Sequence, residues 1–354
     1  MNSILVTGGC GFVGSSIAIK LKSDYPELRV VTFDNLRRRG SELNIKRLKE
    51  IGVEFIHGDV RSFGDLEAIG KCDLVIECSA EPSVLAGFNE SPQYLLQTNL
   101  VGTINCLEYA RIFKSRFIFL STSRVYPITQ IEKLKTIETD SRFELHTEQL
   151  LRGVSSHGIS EEFSMNGVRS LYGASKLASE LLIAEYCQMY DLNAIINRCG
   201  LLTGPWQFGK VDQGVIVLWV ARHYWGKGIK YIGYGGKGKQ VRDLLHIDDL
   251  YQLLKLQIKK IDSFQGEIFN VGGGNEISCS LLELTKLCQE VTGNIVKIER
   301  EYNNRIADIK IYITDSTKVS QEFSWAPMLD AKFIVSDIHN WIKNNSNQLK
   351  DILN

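Results

Sequence analysis

A tyrosine and a lysine lie four residues apart in the sequence, as Tyr172 and Lys176. If the segment is helical, this spacing places the phenol and the ammonium group on one face of the helix. The positive charge then favours the phenolate and lowers the tyrosine pKa from its usual value of about 10 towards neutral pH. Such a phenol can take a proton from a substrate hydroxyl and return it, so the pair predicts acid–base chemistry.

The chain contains 13 tyrosines, so a chance match to this spacing is expected, and Tyr251 and Lys255 provide a second one. The two pairs differ in context. Tyr172 begins a helix that leads into a strand of the alternating core, whereas Tyr251 lies in a later helix, after the sheet. We therefore assign the chemistry to Tyr172 and expect Tyr251 to have a packing role.

Three consecutive hydroxyl side chains, Ser121, Thr122 and Ser123, follow an apolar run that predicts a strand. Open α/β sheets bind ligands at the carboxyl ends of their strands, where these hydroxyls can donate hydrogen bonds to a substrate oxygen. A simple turn is the alternative for such residues. Their position between a glycine-rich turn and the Tyr172–Lys176 pair favours a role in an active site.

Glycines recur at every third position, as Gly8, Gly11 and Gly14, directly after the first apolar run. The first two permit a tight turn and a close approach of the backbone to a pyrophosphate, and the third lets the helix pack closely on the strand. A tight strand-to-helix turn without a ligand is the alternative. Asp34 ends the second predicted strand, in place to bind the ribose hydroxyls of an adenine dinucleotide. Together these residues predict a dinucleotide site.

The residues near Asp34 bear on which dinucleotide is bound. Its carboxylate would repel the 2′-phosphate of NADP, which favours NAD. The run Arg37–Arg39 opposes that inference, because arginines here can hold a phosphate; a solvated loop is the alternative. Asp59 and Val60 are assigned to adenine, through the carboxylate and the amide that follows it, with a turn or helix N-cap as the alternative for Asp59.

Short β-branched runs alternate with helical patterns, which predicts an α/β fold with a Rossmann-type, doubly wound parallel sheet. The predicted strands are Ser3–Val6, Val30–Phe33, Glu54–His57, Leu74–Cys78, Phe117–Leu120 and Ala194–Arg198. The predicted helices between them are Phe12–Lys22, Leu43–Ile51, Pro92–Phe113 and Lys176–Met189. Residues 127–170 are polar, acidic and weakly periodic, and we interpret them as an insertion or flexible segment rather than core.

After residue 200 the pattern loosens into loops rich in glycine and tryptophan, between Gly204 and Lys239, where a substrate lobe would be built. Helices at Asp248–Lys260, Leu281–Val291 and Ala331–Asn344 and a strand at Glu267–Val271 are predicted beyond them. We therefore predict an NAD-binding domain over residues 1–200, joined by returning segments near 240–275, and a smaller C-terminal α/β substrate lobe made mainly of residues 201–354.

Composition excludes several other classes of protein. Of the 354 residues, 44% are hydrophobic and 23% are charged, as in an ordinary globular protein. Lys+Arg and Asp+Glu both number 41, so no broad basic field exists for a nucleic acid or an anionic membrane. No apolar run reaches the ~18 residues of a membrane helix, and no signal peptide is recognisable, so we expect a cytoplasmic protein. The eight cysteines form no C-x-x-C pair, and neither a disulfide framework nor a metal site is predicted.

The glycine turn, the hydroxyl-rich strand end and the Tyr172–Lys176 pair, in this order, resemble the extended short-chain dehydrogenase/reductases over nearly the whole chain. That family comprises the nucleotide-sugar epimerases and dehydratases. The resemblance implies NAD as cofactor, a nucleotide-diphosphate sugar as substrate, and a homodimer in which the helices of residues 92–113 and 176–189 pack against their copies. It maps the catalytic hydroxyl to Thr122, which stands two residues before Val-Tyr, and the acid/base pair to Tyr172 and Lys176.

The residues assigned to the cofactor surround the ends of the first predicted strands. Asn99 maps to a position that supports the cofactor site, and packing inside a helix is its alternative. The full set is Gly8, Gly11, Phe12, Val13, Gly14, Asp34, Asn35, Arg37, Asp59, Val60, Ser79, Ala80, Asn99, Tyr172 and Lys176.

Further matches to the family lie in the substrate half, at Val241–Asp249, Phe269–Gly272 and Arg305–Asp308. They imply that Arg242 and Arg305 meet the substrate diphosphate, since a guanidinium group recognises an anion with paired hydrogen bonds. A surface ion pair with Asp243 or Asp308 is the alternative. The residues assigned to the substrate are Ser123, Arg124, Gln213, Arg242, Arg305 and Asp308.

The two residues after Thr122 separate the reactions of the family. The 4,6-dehydratases carry Thr-Asp-Glu at this place, because eliminating water requires a further acid and base, and the related decarboxylases carry Thr-Ser-Glu. This chain has Ser123 and Arg124 instead. Removal and return of a hydride, which is epimerisation, is the reaction that remains.

Among the epimerases, the segments Phe33–Gly40, Val211–Gly214 and Gly238–Asp243 most resemble the CDP-tyvelose/CDP-paratose 2-epimerases. The chain departs from its relatives at Glu77–Glu81, where they usually show a histidine followed by apolar residues. It also departs at Arg198–Leu201, which lacks a polar residue that many relatives have, and at Pro127, where they have glycine. A UDP-sugar 4-epimerase, an NAD-dependent nucleotide-sugar dehydrogenase or reductase, and a non-enzymatic dinucleotide sensor stay open as alternatives.

Overall fold

The computed structural model describes residues 1–209 and 213–353, which divide into two compact units. The first unit comprises Met1–Val125, Ser170–Arg198 and Tyr251–Phe269. The second comprises Tyr126–Arg169, Cys199–Leu250 and Asn270–Asn354. Each unit is therefore assembled from three separate stretches of chain.

Strands and helices alternate along the chain. The strands are β1 (Ser3–Thr7), β2 (Arg29–Asp34), β3 (Glu54–His57), β4 (Leu74–Glu77), β5 (Arg116–Thr122), β6 (Thr136–Glu138), β7 (Phe143–Leu145), β8 (Val154–Ser155), β9 (Gly158–Ile159), β10 (Ala194–Cys199), β11 (Leu201–Thr203), β12 (Ile229–Ile232), β13 (Val241–His246), β14 (Gln265–Val271), β15 (Ser278–Ser280), β16 (Ile298–Glu301) and β17 (Ile311–Tyr312). The α-helices are α1 (Phe12–Asp24), α2 (Leu43–Glu50), α3 (Phe63–Glu67), α4 (Gln93–Leu96), α5 (Gly102–Phe113), α6 (Ile128–Ile131), α7 (Leu171–Tyr190), α8 (Val215–Tyr224), α9 (Ile247–Lys260), α10 (Leu281–Thr292), α11 (Thr317–Phe323), α12 (Ala331–Asn344) and α13 (Ser346–Leu353).

A seven-stranded parallel sheet lies at the centre of the first unit, in the order β14-β10-β5-β4-β1-β2-β3. Its strands are rich in β-branched and aromatic residues, which favour extended backbone, and Leu5, Val31, Val75 and Phe117 are among the fully buried ones. The predicted doubly wound α/β fold is therefore confirmed. The order of the strands reverses between β1 and β4, which is where such sheets bind ligands.

Two helices of the first unit differ from their predicted bounds. The helix predicted over Pro92–Phe113 is interrupted by a π-helical turn at Gln97–Val101, which separates α4 from α5. The helix predicted from Lys176 begins five residues earlier, at Leu171, because the Ser170 side chain accepts the N–H of Gly173 and caps it. Tyr172 and Lys176 therefore both lie on α7, one turn apart.

A smaller sheet and a layer of helices form the second unit. The sheet has the order β11-β13-β15, with β17 paired to β13. Helices α8, α10 and α12 pack against one another and bury apolar side chains such as Val217, Leu284 and Ile338. Parallel strands β12 and β16 form a separate pair.

The segment of residues 127–170 is folded, so the interpretation of it as a flexible segment is wrong, whereas the interpretation of it as an insertion stays a prediction. It forms α6 and two antiparallel pairs, β6–β7 and β8–β9, and it buries Phe143, Ile159 and Phe163. The N–H of Ile159 donates to the carbonyl of Ile313 at 2.8 Å. Strands of two or three residues are too short for a hydrophobic period to be recognised in sequence.

No helix within residues 1–209 and 213–353 is long and apolar enough to cross a membrane. All eight cysteines are free thiols, and all but Cys78 are buried. The described residues contain no group of three or more His, Cys, Asp or Glu side chains that could hold a metal ion.

Candidate active site

The turn between β1 and α1 leaves no room for side chains at two of its three glycines. Gly8 has φ +62°, and a Cβ there would lie 2.8 Å from the carbonyl oxygen of Cys78. A Cβ at Gly14 would lie 2.3 Å from the carbonyl oxygen of Gly8. The turn therefore packs against the end of β4 at the point where the strand order reverses.

The N-terminus of α1 is open to a ligand. Its N-cap residue is Gly11, which has no side chain to occupy the first N–H groups of the helix. Because the first N–H groups of an α-helix have no partner within the helix, those of Phe12, Val13 and Gly14 can bind an anion, and the helix dipole favours the negative charge. Together with the bare glycine backbone, this arrangement fits the pyrophosphate of a dinucleotide.

Asp34 is held at the end of β2 beside this turn. Its Oδ2 accepts the N–H of Cys10 at 3.0 Å, and its Oδ1 accepts the N–H of Leu36 at 2.8 Å. Burial raises the pKa of the Asp34 carboxyl, although these N–H groups act against the shift. The carboxylate is thus fixed next to the glycine turn, as a ribose ligand must be.

Three residues assigned to the cofactor, Asn35, Arg37 and Asp59, lie in one cluster. Although burial opposes it, hydrogen bonds from Arg61 and Asn35 lower the pKa of the Asp59 carboxyl to about 2. The guanidinium groups of Arg37 and Arg61 stack on Tyr94, 3.8 and 4.9 Å from the ring centre. Arg61 and Tyr94 could not be predicted from the sequence, because no local pattern connects Tyr94 with the distant Arg37 and Arg61. Asp59 also accepts the N–H of Arg61, which is the turn role considered for it.

Buried hydrogen bonds connect the end of β4 to α7. Asn99, on the π turn, accepts the N–H of Glu81 at 2.8 Å and donates to Oγ of Ser175 at 3.3 Å. The Ser79 and Thr7 hydroxyls lie 2.9 Å apart. Asn99 therefore fixes the residue next to Lys176. The remaining residues assigned to the cofactor, Val60 and Ala80, lie beyond the ends of β3 and β4.

Thr122, Tyr172 and Lys176 lie on β5 and α7, which pack against each other. Thr122 is the last residue of β5, and its Oγ1 accepts the N–H of Arg124 at 3.2 Å. Lys176 is buried, with its Nζ 4.2 Å from the centre of the Phe119 ring on β5. Tyr172 is half-buried one turn before it. The 3₁₀ turn after Thr122 carries Ser123 and Arg124, both half-buried.

A buried ion pair that the sequence did not indicate fixes α7 to the sheet. Nη2 of Arg198 lies 2.7 Å from Oε2 of Glu180, and both side chains are almost fully buried. The Ser121 hydroxyl, which precedes Thr122, donates to the same carboxylate. Removing one member of such a pair leaves an uncompensated buried charge, so these bonds restrain β5 against α7.

Tyr251, the second tyrosine with a lysine four residues on, has a different environment. Its hydroxyl donates to Asp24 at 2.8 Å, and Lys255 donates to the same carboxylate at 2.9 Å. Tyr251 is buried, and burial raises the pKa of its phenol. The packing role predicted for Tyr251 is confirmed.

Four residues assigned to the substrate lie in the second unit. Arg242 donates to Asp308 at 2.9 Å and to the carbonyl of Ile309 at 2.7 Å, so the alternative ion pair with Asp308 is present. The carbonyl of Arg305 accepts the N–H of Asp308. Gln213 is half-buried just before α8. Val211 and Asp212, which belong to the same sequence motif, lie outside the described residues.

Comparison with known proteins places these observations in a family. Residues 4–272 match the model of the NAD dependent epimerase/dehydratase family. CDP-paratose 2-epimerase of Salmonella typhi is 31% identical over 348 residues, which cover 96% of this chain and 98% of that protein. The structure of UDP-glucose 4-epimerase from Thermotoga maritima with UDP-glucose is similar with a TM-score of 0.80, at 24% identity, over 97% of this chain and 99% of that one. The dTDP-glucose 4,6-dehydratase of Bacillus anthracis in complex with NAD gives a TM-score of 0.78 at 23% identity, over 99% and 100% of the two chains.

The close packing of the glycine turn predicts a difference between two glycine substitutions. Gly14→Ala places a Cβ 2.3 Å from the carbonyl oxygen of Gly8 and must displace the turn, so we expect NAD affinity to fall at least roughly tenfold, about 1.4 kcal/mol. Gly64→Ala, on α3, meets no atom within 4 Å and serves as the control. Titration of both variants with NAD checks the prediction, and equal affinities would contradict it.

Proposed function

Because the chain belongs to the NAD-dependent epimerase/dehydratase family, we propose that it inverts C2 of a CDP-linked deoxysugar by transient oxidation. NAD, the cofactor predicted from the sequence, is confirmed by this membership. The chain is an NAD-dependent enzyme of the nucleotide-sugar epimerase and dehydratase type. What we propose beyond this is the reaction type, epimerisation, the reacting carbon, C2, and the nucleotide of the substrate, CDP.

One observation carries the choice of epimerisation. The 3₁₀ turn directly after Thr122 bears Ser123 and Arg124, where an elimination would need acidic residues beside the catalytic hydroxyl. The choice of CDP and of C2 is supported by the 31% identity to CDP-paratose 2-epimerase over 96% of the chain. The segments Phe33–Gly40 and Gly238–Asp243 support it as well.

In the proposed reaction three side chains divide the proton chemistry. When bound, NAD would supply what the side chains lack, an acceptor for the C2 hydride that can also return it. Oη of Tyr172, as phenolate, takes the proton of the C2 hydroxyl. It returns the proton after the sugar has rotated to present its other face. Lys176 favours the phenolate through its charge. Thr122 accepts one hydrogen bond from the backbone and still has its own hydrogen to donate to the carbonyl oxygen formed at C2.

Arg242 and Arg305 are the proposed ligands of the substrate diphosphate. The pairing of Arg242 with Asp308 is compatible with that role. Its bonds to Asp308, Ile309 and Val241 take up three of the five N–H donors that a guanidinium group carries. Asp308 then orients the guanidinium group and leaves N–H donors free to bind the substrate diphosphate.

An isotope experiment tests the reaction. A CDP-linked deoxysugar deuterated at C2 should be inverted with its label kept at C2, because the hydrogen removed stays on the enzyme and returns to the same carbon. No net NADH should form. Deuterium from solvent at a neighbouring carbon would indicate an enolising route, and stoichiometric NADH would indicate a dehydrogenase. Inversion of a UDP-sugar at C4 without inversion of the CDP-sugar would contradict the substrate and the position.

The acid–base role of Tyr172 predicts a large effect of a small substitution. Tyr172→Phe removes only the ionisable hydroxyl, so we expect kcat to fall roughly 10²–10⁴-fold while NAD and substrate still bind. Tyr251→Phe is the matched control, since its hydroxyl donates to the exposed carboxylate of Asp24, and its kcat should stay close to that of the unaltered chain. Steady-state kinetics and ligand titration distinguish the two variants. The opposite ranking would show that the wrong pair was assigned.

A homodimer is part of the proposal, and exposed apolar side chains on two helices support it. Ile112 on α5 and Leu181, Met189 and Tyr190 on α7 are exposed large hydrophobic residues. Helices α5 and α7 pack against each other, and a contiguous apolar patch across two such helices is typical of an interface between subunits.

Substitution of one of these residues tests the dimer. Leu181→Lys, at a side chain that is 64% exposed, should convert the dimer to a monomer at micromolar concentration, as measured by light scattering. Ile295→Lys, at a side chain that is 86% exposed, is the control and should leave the dimer intact. A monomeric unaltered protein would reject the proposal.

A further inference from the structure

A carboxylate that the proposed reaction does not use lies inside the first unit. Glu77, the last residue of β4, has no exposed surface. Its Oε1 lies 2.7 Å from the Thr103 hydroxyl of α5, whose single hydrogen is shared between Glu77 and the carbonyl of Asn99 at 2.8 Å, whereas Oε2 has no hydrogen-bond partner among the described residues. An ionisable group buried with half of its bonding capacity unused is costly for a protein. The groups around Glu77 must therefore account for its burial.

The sheet register places Glu77 beside the lysine of the proposed acid–base pair. Glu77 on β4 is directly opposite Phe119 on β5, and residues opposite each other in a sheet have side chains on the same face. Nζ of Lys176 lies 4.2 Å from the centre of the Phe119 ring. Helices α5 and α7, which carry Thr103 and Lys176, cover this face. The carboxylate and the ammonium group thus lie in one closed space between the sheet and two helices.

Among the residues that the structure describes, the other groups that face Glu77 carry no positive charge that could replace Lys176. Thr7 is opposite Glu77 on β1, and its hydroxyl lies 2.9 Å from that of Ser79. Cys106 on α5 is buried, and burial is the largest cause that raises the pKa of its thiol, with the charge of Glu77 next. Burial raises the pKa of the Glu77 carboxyl to about 7, against the opposing effects of Lys176 and the Thr103 hydrogen bond.

We propose that Glu77 is a positioning residue of the Tyr172–Lys176 pair: its carboxylate offsets the buried charge of Lys176 and thereby sets the pH at which Tyr172 gives up its proton. The inference rests on the acid–base role proposed above for Tyr172. Its physical basis is that two opposite charges in a space of low dielectric constant weaken each other's effect on a third group. When Glu77 is ionised, the phenolate is favoured less, and when it is neutral, Lys176 acts on the phenol unopposed.

Titration of the phenol itself tests the inference without a substrate. The ultraviolet absorbance of tyrosinate is followed against pH in the NAD-loaded enzyme and in Glu77→Gln, each with and without Tyr172→Phe, so that the difference isolates Tyr172. We expect the midpoint to lie about one pH unit lower in Glu77→Gln, a tenfold change in the ratio of phenolate to phenol. An unchanged midpoint, or one at higher pH, would overturn the inference.

Substitutions at Thr103 give a second measurement if Glu77→Gln does not fold. Thr103→Val removes a hydroxyl that contacts both Glu77 and the carbonyl of Asn99. Loss of its hydrogen bond to Glu77 favours the neutral carboxyl, so the midpoint should again move to lower pH. Thr103→Ser keeps the hydroxyl and should leave the midpoint unchanged. Equal midpoints in these two variants would overturn the inference. Since the titration uses no sugar, it can be interpreted even if the CDP-sugar does not react. An unchanged midpoint would overturn the role of Glu77 and would leave the proposed epimerisation standing.

Discussion

Keeping the charge of Lys176 inside the protein is the constraint on which the rest of the site depends. Removing an ammonium group from water costs several kcal/mol unless its surroundings compensate. The face of the Phe119 ring contributes a cation–π contact, and the Glu77 carboxylate on the neighbouring strand contributes an opposite charge. Both lie on one face of the sheet, so the ammonium group is buried where β4 and β5 are adjacent and α7 lies across them.

The position of α7 is in turn fixed by contacts at two points along the helix, one turn apart. Asn99 bonds Ser175 next to Lys176, and Glu180 pairs with Arg198 and Ser121 one turn further on. The π turn at Gln97–Val101 matters here, since an extra residue in a helical turn redirects a side chain that would otherwise follow the regular spacing. Asn99 and Thr98 are the buried polar residues of that turn. A helix held at two levels against the strand that ends in Thr122 keeps hydroxyl, phenol and ammonium in a constant arrangement.

Sequence could predict the parts of this site that are local. The glycine turn, the end of β2 at Asp34 and the four-residue spacing of Tyr172 and Lys176 each depend on neighbouring residues, and each was found. Arg61 with Tyr94 and Glu180 with Arg198 join distant segments, and no spacing indicates such pairs. The folding of residues 127–170 could not be predicted, because their strands are too short to show a hydrophobic period. Glu77 lies in a segment that departs from relatives of the chain, and the sequence alone supplies no reason for that departure.

The protonation of Glu77 also links the site to stability. Its pKa is raised to about 7 in the folded protein from an ordinary value near 4.5, so the folded state binds a proton that the unfolded chain releases. This contribution to stability is fully present below pH 4.5 and is lost as the pH rises through 7. At neutral pH the carboxylate is therefore a cost to folding that a glutamine at the same place would not impose. A residue with that cost, in the space occupied by the lysine of the acid–base pair, is better explained by control of a proton than by packing.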